Sequence, residues 1–266
     1  MNEKMQNENR ICCIYSYYEK NEKYINNFKF FISNAILDNV HYYIVINGSS
    51  TVEIPDKHNI HVYTRENKGS DFGAYSYALK QFDPIYEYYF FINNTVIGPY
   101  LDKYNLQNDN KDWTTYFIDL FNTDDVKIVG TSINILENTS EYYNKLIPLY
   151  GEKNVYSHIQ SMFFCINKEY LRYLQSIDFF NEEILNDKDR EYLILQKEIG
   201  ISQYALNNNW NINSILDGYK NLDYRKISKN INESASSYSG DPYFKNTYFG
   251  KTITENDAIF LKNNRG

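Results

Sequence analysis

The chain has 266 residues, long enough for one large α/β domain or two small ones, and 27 basic against 34 acidic residues give a formal charge of −7 and a pI near 5.2. That balance excludes a general attraction for nucleic acid, so any site for a polyanion has to be local. Three cysteines (Cys12, Cys13 and Cys165) suit neither a disulfide framework nor a zinc site, no apolar run approaches the roughly 20 residues of a membrane span, and MNEKMQNENR lacks the apolar core of a leader, so the expectation is a soluble protein of the reducing cytoplasm.

Ile11 to Tyr15 (ICCIY) is an apolar run suited to a central strand, and Tyr24, Ile25, Phe28, Phe31 and Ile32 recur at helical spacing between Asn21 and Ala35. His41 to Ile46 is a second strand ending in the turn cluster Asn47, Gly48, Ser49 and Ser50. Ile60 to Tyr63 is a third, and Tyr88 to Ile92 a fourth that stops at Asn93, Asn94 and Thr95. Further strands are predicted over Val126 to Gly130 and Ser161 to Ile166, with a helix from Lys168 to Leu174. Residues 181–207 read as helical, with Ile184, Leu185, Tyr192, Leu193, Leu195, Ile199 and Tyr204 as the buried face. From about 217 the periodicity fades, so residues 1–216 are expected to form the domain and 217–266 an arm or lid packed on it. Strands alternating with helices predict an α/β fold whose mainly parallel sheet is flanked by helices, with ligands at the carboxyl ends of the strands.

The stretch Arg65 to Leu79, RENKGSDFGAYSYAL, reads as a strand end, a loop and a helix start. Gly69 and Gly73 permit positive φ or close backbone approach, Ser70 or Asp71 is expected to cap the helix, and the amides at such a junction suit a phosphate. A carboxylate about 4 Å from a phosphate repels it by about 4 kcal/mol at an effective dielectric of 20, whereas a helix start favours it by about 0.3 to 1 kcal/mol. Asp71 is therefore assigned to the cap or to ligand hydroxyls, and Lys68 with the amides near Gly69 to a phosphate. Arg65 and Lys251 are further cationic candidates.

YYIVINGSS (Tyr42 to Ser50) and ENKGSDFGAYSYAL resemble the second-strand ending and the loop and helix after the third strand in glycosyltransferases of the GT-A fold, and YYFFINNTVIGPY falls where that family carries its D-x-D metal motif. Closer still is the resemblance to rhamnan-synthesis F-like polysaccharide-assembly transferases of bacteria and large DNA viruses, carried by Asn67 to Tyr75, Phe91 to Pro99, Ile159 to Phe164 and Glu198 to Ser202, and by GDPYFKNTYFGKTI in the tail. The resemblance implies a GT-A-like (Rossmann-related) fold and transfer of a hexose or deoxyhexose, with inversion, from a nucleoside-diphosphate sugar to a glycan or glycoconjugate acceptor. On it Tyr15, Ser16, Tyr17, Asn47, Asn67, Lys68, Gly69, Asp71, Asn93, Asn94 and Thr95 would contact the donor, with Tyr15 and Tyr17 stacking on the base. Glu198 would be the base, with Asp187, Asp189 and Glu191 as alternatives, and His158 and Ser161 would border the acceptor.

The departures are specific. Ile46 and Asn47 replace the second-strand acidic pair, Asn93, Asn94 and Thr95 replace D-x-D, and no histidine follows His158 to serve as the family's late metal ligand. Neutral oxygens bind Mn²⁺ or Mg²⁺ far less well than carboxylates, so no metal site is assigned and a divalent ion is expected to be dispensable; if one is required, Asp71 or Asp241 are the carboxylates to examine. The missing carboxylates keep two other readings open: a noncatalytic nucleotide- or glycan-binding module and, less well supported, a nucleotidyltransferase.

Overall fold

The protein is described from a computed structural model that covers residues 10–105, 111–181 and 190–263. Its first strand, β1 (Ile11–Tyr17), is buried at every position. A strand with layers on both faces carries a continuous apolar run rather than an alternating one, and β1 has that place. α1 (Glu22–Asn34) follows, capped by Asn21, whose Oδ1 accepts from the Tyr24 amide at 3.1 Å. β2 (Val40–Asn47), β3 (Ile60–Arg65), α2 (Ser70–Leu79) and β4 (Tyr88–Asn93) complete the first half.

The second half contains β5 (Val96–Ile97), α3 (Asp102–Asn105), α4 (Trp113–Ile118), β6 (Val126–Gly130), β7 (Ile133–Leu136), α5 (Tyr143–Tyr150), β8 (Tyr156–Ile159), β9 (Phe163–Asn167) and α6 (Lys168–Ser176). A helix with three successive parts follows: α7 (Arg190–Tyr192), a π-helical segment (Leu193–Ile199) and α8 (Gly200–Asn207). β10 (Asn211–Ser214) and β11 (Leu261–Lys262) end the set. The main sheet has seven strands in the order β10-β6-β9-β4-β1-β2-β3, and only β9 runs against its neighbours. The fold is thus α/β, a mainly parallel, Rossmann-related sheet flanked by helices. The chain leaves β1 for β2 on one side and returns through α2 to β4 on the other, so β1 and β4 flank a topological switch point.

Register sets what meets there. Ser16 lies beside Asn93 in the β1–β4 pair, and Asn47 beside Arg65 in the β2–β3 pair. Behind these ends the sheet is sealed by aromatic rings. Phe91 stacks on Phe164 at 4.7 Å, and on the opposite face Phe163 packs on Phe117 at 4.5 Å. Cys12, Cys13 and Cys165 are buried free thiols, pushed well above the usual thiol range by burial.

Three features differ from the pattern of the sequence. The strand expected over Ser161 to Ile166 begins at Phe163 and is antiparallel, because an apolar run carries no direction. The antiparallel β7–β8 pair, whose strands are joined through α5, and β10 give no sequence signal, since four residues are too few to establish a period of two. The expected helix over 181–207 is described only from Arg190, so Ile184 and Leu185 lie outside the described residues, and its middle is π-helical. Within it Leu193, Leu195 and Ile199 are buried and Tyr192 and Tyr204 half-buried. Among the described residues no helix is long and apolar enough to cross a membrane.

The tail after residue 217 carries two short 3-10 turns and then β11, which pairs antiparallel with β5, Leu261 opposite Ile97 and Lys262 opposite Val96. Ala258, Ile259 and Phe260 are buried, and the Phe260 ring lies 4.5 Å from Phe163 and 5.3 Å from Trp113. Truncating a core phenylalanine costs about 3 to 5 kcal/mol. Phe260→Ala is expected to lower the unfolding free energy by that amount in urea titrations; a loss below about 1 kcal/mol would show that the tail is not part of the core.

Candidate functional site

Five elements converge at the switch point, and one carboxylate collects their side chains. Asp71, in the first turn of α2, accepts from Ser16 Oγ at 3.1 Å and from Asn93 Nδ2 at 2.6 Å. Ser16 Oγ in turn accepts from Asn47 Nδ2 at 3.2 Å, and Asn47 Oδ1 accepts from Arg65 Nη1 at 3.2 Å. Asn93 Oδ1 accepts from the Thr95 amide at 3.0 Å and from Thr95 Oγ1 at 2.5 Å. Strand ends β3, β2, β1 and β4 are thereby joined to the helix start through one continuous chain of hydrogen bonds. Desolvation by burial pushes the Asp71 carboxyl up to about 6, against the opposing pull of its Ser16 and Asn93 donors.

The loop that presents Asp71 explains its glycines. A Cβ on Gly73 would sit 2.3 Å from the Lys68 carbonyl oxygen, so only glycine lets the helix start this close to the loop. Arg65 Nη2 donates to the same carbonyl at 2.9 Å, pinning it from the other side. The N-cap is Gly69, with φ of 71° and no side-chain cap bond. The expected cap by Ser70 or Asp71 is therefore corrected: positive φ at residues 69 and 70 swings the chain so that Asp71 turns back onto β1 and β4.

Other assignments also move. Tyr15 lies between Phe28 (5.0 Å) and Phe31 (4.4 Å), and Tyr17 stacks on Phe28 at 4.2 Å with its hydroxyl donating to Glu19, so neither ring has a face for a base. Both were drawn inward by the need to cover β1 with α1. Asn67 and Lys68 are exposed, with Lys68 paired to Glu66, and Lys251 is exposed in a tail turn. Gly69 is buried, and Asn94 is buried with Nδ2 donating to the Tyr18 carbonyl, so it faces α1 rather than the cavity. Arg65 is a brace of the loop.

A cavity of about 600 Å³ opens over the Asp71 cluster, and its lining includes Asp71, Asn93, Thr95, His158, Ser161 and Glu198. Glu198 comes from the π-helical segment, a geometry that recurs at functional sites because the extra residue re-aims side chains. Its neighbour Lys197 points the other way, buried over the Phe179 ring at 4.5 Å with its ammonium donating to the Phe179 carbonyl. Desolvation by burial raises the Glu198 carboxyl, with the Asp71 charge acting in the same direction, while Lys262, Arg190 and the Ser161 hydroxyl pull it down. His158 is held down to about 4, chiefly by burial, and is therefore a neutral imidazole at physiological pH.

Two cations border this space, Arg190 and Lys262, the latter 3.8 Å from Asp241. Sequence reasoning did not single out either, nor Asn134, Gln160 and Tyr238. Gln160 lies within the Ile159 to Phe164 motif without being singled out, and the tail motif GDPYFKNTYFGKTI says nothing of where the tail lands. Of the alternative bases, Glu191 is exposed and paired with Lys145, and Asp187 and Asp189 lie outside the described residues.

The donor set does not suit the divalent ion that the D-x-D position would hold. Asn93 has its amide nitrogen on Asp71 and its oxygen on Thr95, Asn94 faces away, and Asp71 brings a single carboxylate already holding two donors. Among the described residues no group of three or more His, Cys, Asp or Glu is placed to hold a metal.

No protein-family model matches the chain, and no curated protein matches it. Among solved structures the chain is similar to the mannosyltransferase PcManGT from Pyrobaculum calidifontis in complex with GDP-Man and Mn²⁺, with 14% identity, 63% of this chain and 47% of that one covered, and a TM-score of 0.38. It is also similar to S. aureus TarS 1–349, at 16% identity over 74% of this chain and 56% of that one (TM-score 0.40), and to the same protein in complex with UDP-GlcNAc, at 16% over 74% and 54% (TM-score 0.43). The chain spans about half the length of these structures. Likenesses this loose carry no conclusion about the site, which stands on its own geometry.

Asp71 makes stability depend on pH in a definite sense. Its carboxyl titrates near 6 when folded and near 3.8 when unfolded, so between these values the unfolded chain releases its proton first and stability falls as pH rises. The penalty is complete above pH 6 and amounts to at most about 3 kcal/mol at 1.36 kcal/mol per unit. Denaturant titrations from pH 4 to pH 8 are expected to show this loss in the native protein and a smaller one in Asp71→Asn; equal slopes would mean that Asp71 titrates normally.

Proposed function

We propose that the protein is a glycosyltransferase that moves a hexosyl or deoxyhexosyl unit from a nucleoside-diphosphate sugar to a glycan or glycoconjugate acceptor, with a GT-A-like domain, in polysaccharide or surface-glycan assembly. The observation that carries this reading is the Asp71 cluster at the switch point sharing one cavity with Glu198. In open α/β sheets ligands bind outside the carboxyl ends of the strands at such a point. The resemblance of the strand-end motifs supports the same reading.

The roles follow from charge. A carboxylate held by neutral donors accepts hydrogen bonds from sugar hydroxyls, and that is the part assigned to Asp71, with Thr95 at its side. Glu198 is the base for the acceptor hydroxyl. Its raised carboxyl brings its proton affinity closer to the operating pH, which is what a general base requires, and inversion needs one base on the acceptor side. The leaving diphosphate needs positive charge, and Arg190, Lys262 and the amides of the first turn of α2 are the groups at hand. With the metal position unsuited to a hard cation, the two side chains supply the stabilisation, and no step uses a divalent ion.

Incubation in EDTA with a panel of UDP-, GDP- and dTDP-sugars is expected to reveal one donor that binds and is slowly hydrolysed. Glu198→Gln should lower transfer by about 10² to 10⁴ while leaving donor affinity nearly unchanged, and the native rate should rise with pH through the raised carboxyl. Absence of binding and hydrolysis across the panel would overturn the function. Activity lost in EDTA and restored by Mn²⁺ would overturn the metal-free mechanism, and donor binding without turnover, indifferent to Glu198→Gln, would make the protein a binding module.

A further inference from the structure

Part of the cavity lining comes from the β7–β8 pair and the tail. Four carboxylates (Asp71, Glu141, Glu198 and Asp241) line the whole space against two cations, Arg190 and Lys262. Once a diphosphate has taken the cations, what remains of the cavity repels a second anion. The neutral polar groups of this wall are the amides of Asn134 and Gln160 and the imidazole of His158. Asn134 Oδ1 is buried without a hydrogen-bond partner among the described residues, an acceptor that the protein itself leaves unused.

The tail adds an apolar surface. Tyr238 is 47% exposed and stacks on Phe244 at 4.6 Å, so one ring face is backed by protein and the other is open. This wall is anchored. A Cβ on Gly240 would lie 2.5 Å from the amide nitrogen and carbonyl oxygen of Ile135, so the tail can lie against β7 only as glycine, and Ser236 Oγ donates to Glu137 at 2.9 Å. A flat aromatic face beside amide and carboxylate acceptors matches a sugar ring, whose C–H face is apolar and whose edge bears hydroxyls.

We propose that this wall is the acceptor subsite and that it takes an uncharged sugar, which stacks on Tyr238 and is bonded through its hydroxyls by Asn134, Gln160 and Asp241. The word acceptor rests on the transfer reading, but binding of the sugar does not. Saturation-transfer NMR titrations of the full chain, with saturating inorganic pyrophosphate present to occupy Arg190 and Lys262, using maltotriose, chitotriose and mannotriose against trigalacturonate and mannose 6-phosphate, test it. At least one uncharged trisaccharide is expected to bind, with the anionic sugars at least about tenfold weaker. Tyr238→Ala should weaken that sugar about fivefold and Tyr238→Phe less than about twofold, since the ring and not the hydroxyl does the stacking. Binding by none of the uncharged sugars, equal or tighter binding of the anionic ones, or indifference to Tyr238→Ala overturns the subsite. Nucleotide-sugar binding measured in parallel separates the two proposals: glycan binding without donor binding sinks the transfer reading alone, and donor binding without glycan binding sinks the subsite alone.

Discussion

The structure turns on one carboxylate placed where the sheet changes direction. Asp71 is half-buried, and burial alone would drive it to the neutral form; Ser16 and Asn93 stabilise the charge with two hydrogen bonds from neutral donors. For both donors to reach it, β1 and β4 must be neighbours in the register that sets Ser16 beside Asn93, and α2 must start within one turn of the loop. Gly73 allows that close start, and Arg65 with Asn47 fixes the loop and the neighbouring strand end. The strand order, the two glycines and the chain of polar side chains are therefore parts of one constraint, because moving any of them leaves a charge buried without its partners.

The same constraint explains why the loop RENKGSDFGAYSYAL carried so much of the sequence reading and why part of that reading failed. Its composition announced a strand, a turn and a helix, and the α/β alternation around it gave the sheet. Charge along the sequence does not reveal direction in space, however. Lys68 looked like the phosphate ligand and points to solvent beside Glu66, while Asp71 looked like a cap and turns inward. Strand ends were legible because apolar runs stop at polar residues. Which of those residues face a cavity depends on register, and register is a tertiary property.

The far wall was much less legible. Glu198 is singled out by its local motif, yet its environment depends on a π-helical segment that no periodicity of seven residues discloses, and on Lys262, which lies 64 positions further along the chain. Asn134 and His158 are partners in a pair of four-residue strands, each too short to leave a signal. Tyr238, Asp241 and Lys262 belong to a segment whose helical and strand periods had faded, and their position is set by Phe260 in the aromatic core and by the β5–β11 pair.

These two walls have opposite logic, and the tail connects them. The strand-end floor is continuous with seven paired strands, and Ser16, Asn47, Arg65, Asp71, Asn93 and Thr95 are tied to one another by hydrogen bonds. The opposite wall is assembled by a segment with little regular structure of its own, which gains its order by burying Phe260 and pairing two residues with β5. Such a segment puts Lys262 beside Asp241 and close enough to Glu198 to lower its carboxyl, so the folding of the tail and the protonation of Glu198 are coupled. After burial, Lys262 is the strongest influence on the Glu198 carboxyl, so removing that ammonium while the site stays closed would drive Glu198 further toward the neutral form. The charge of a carboxylate on the helix is thus set in part by a segment with almost no periodic structure of its own, and the charge balance of the cavity depends on the tail being in place.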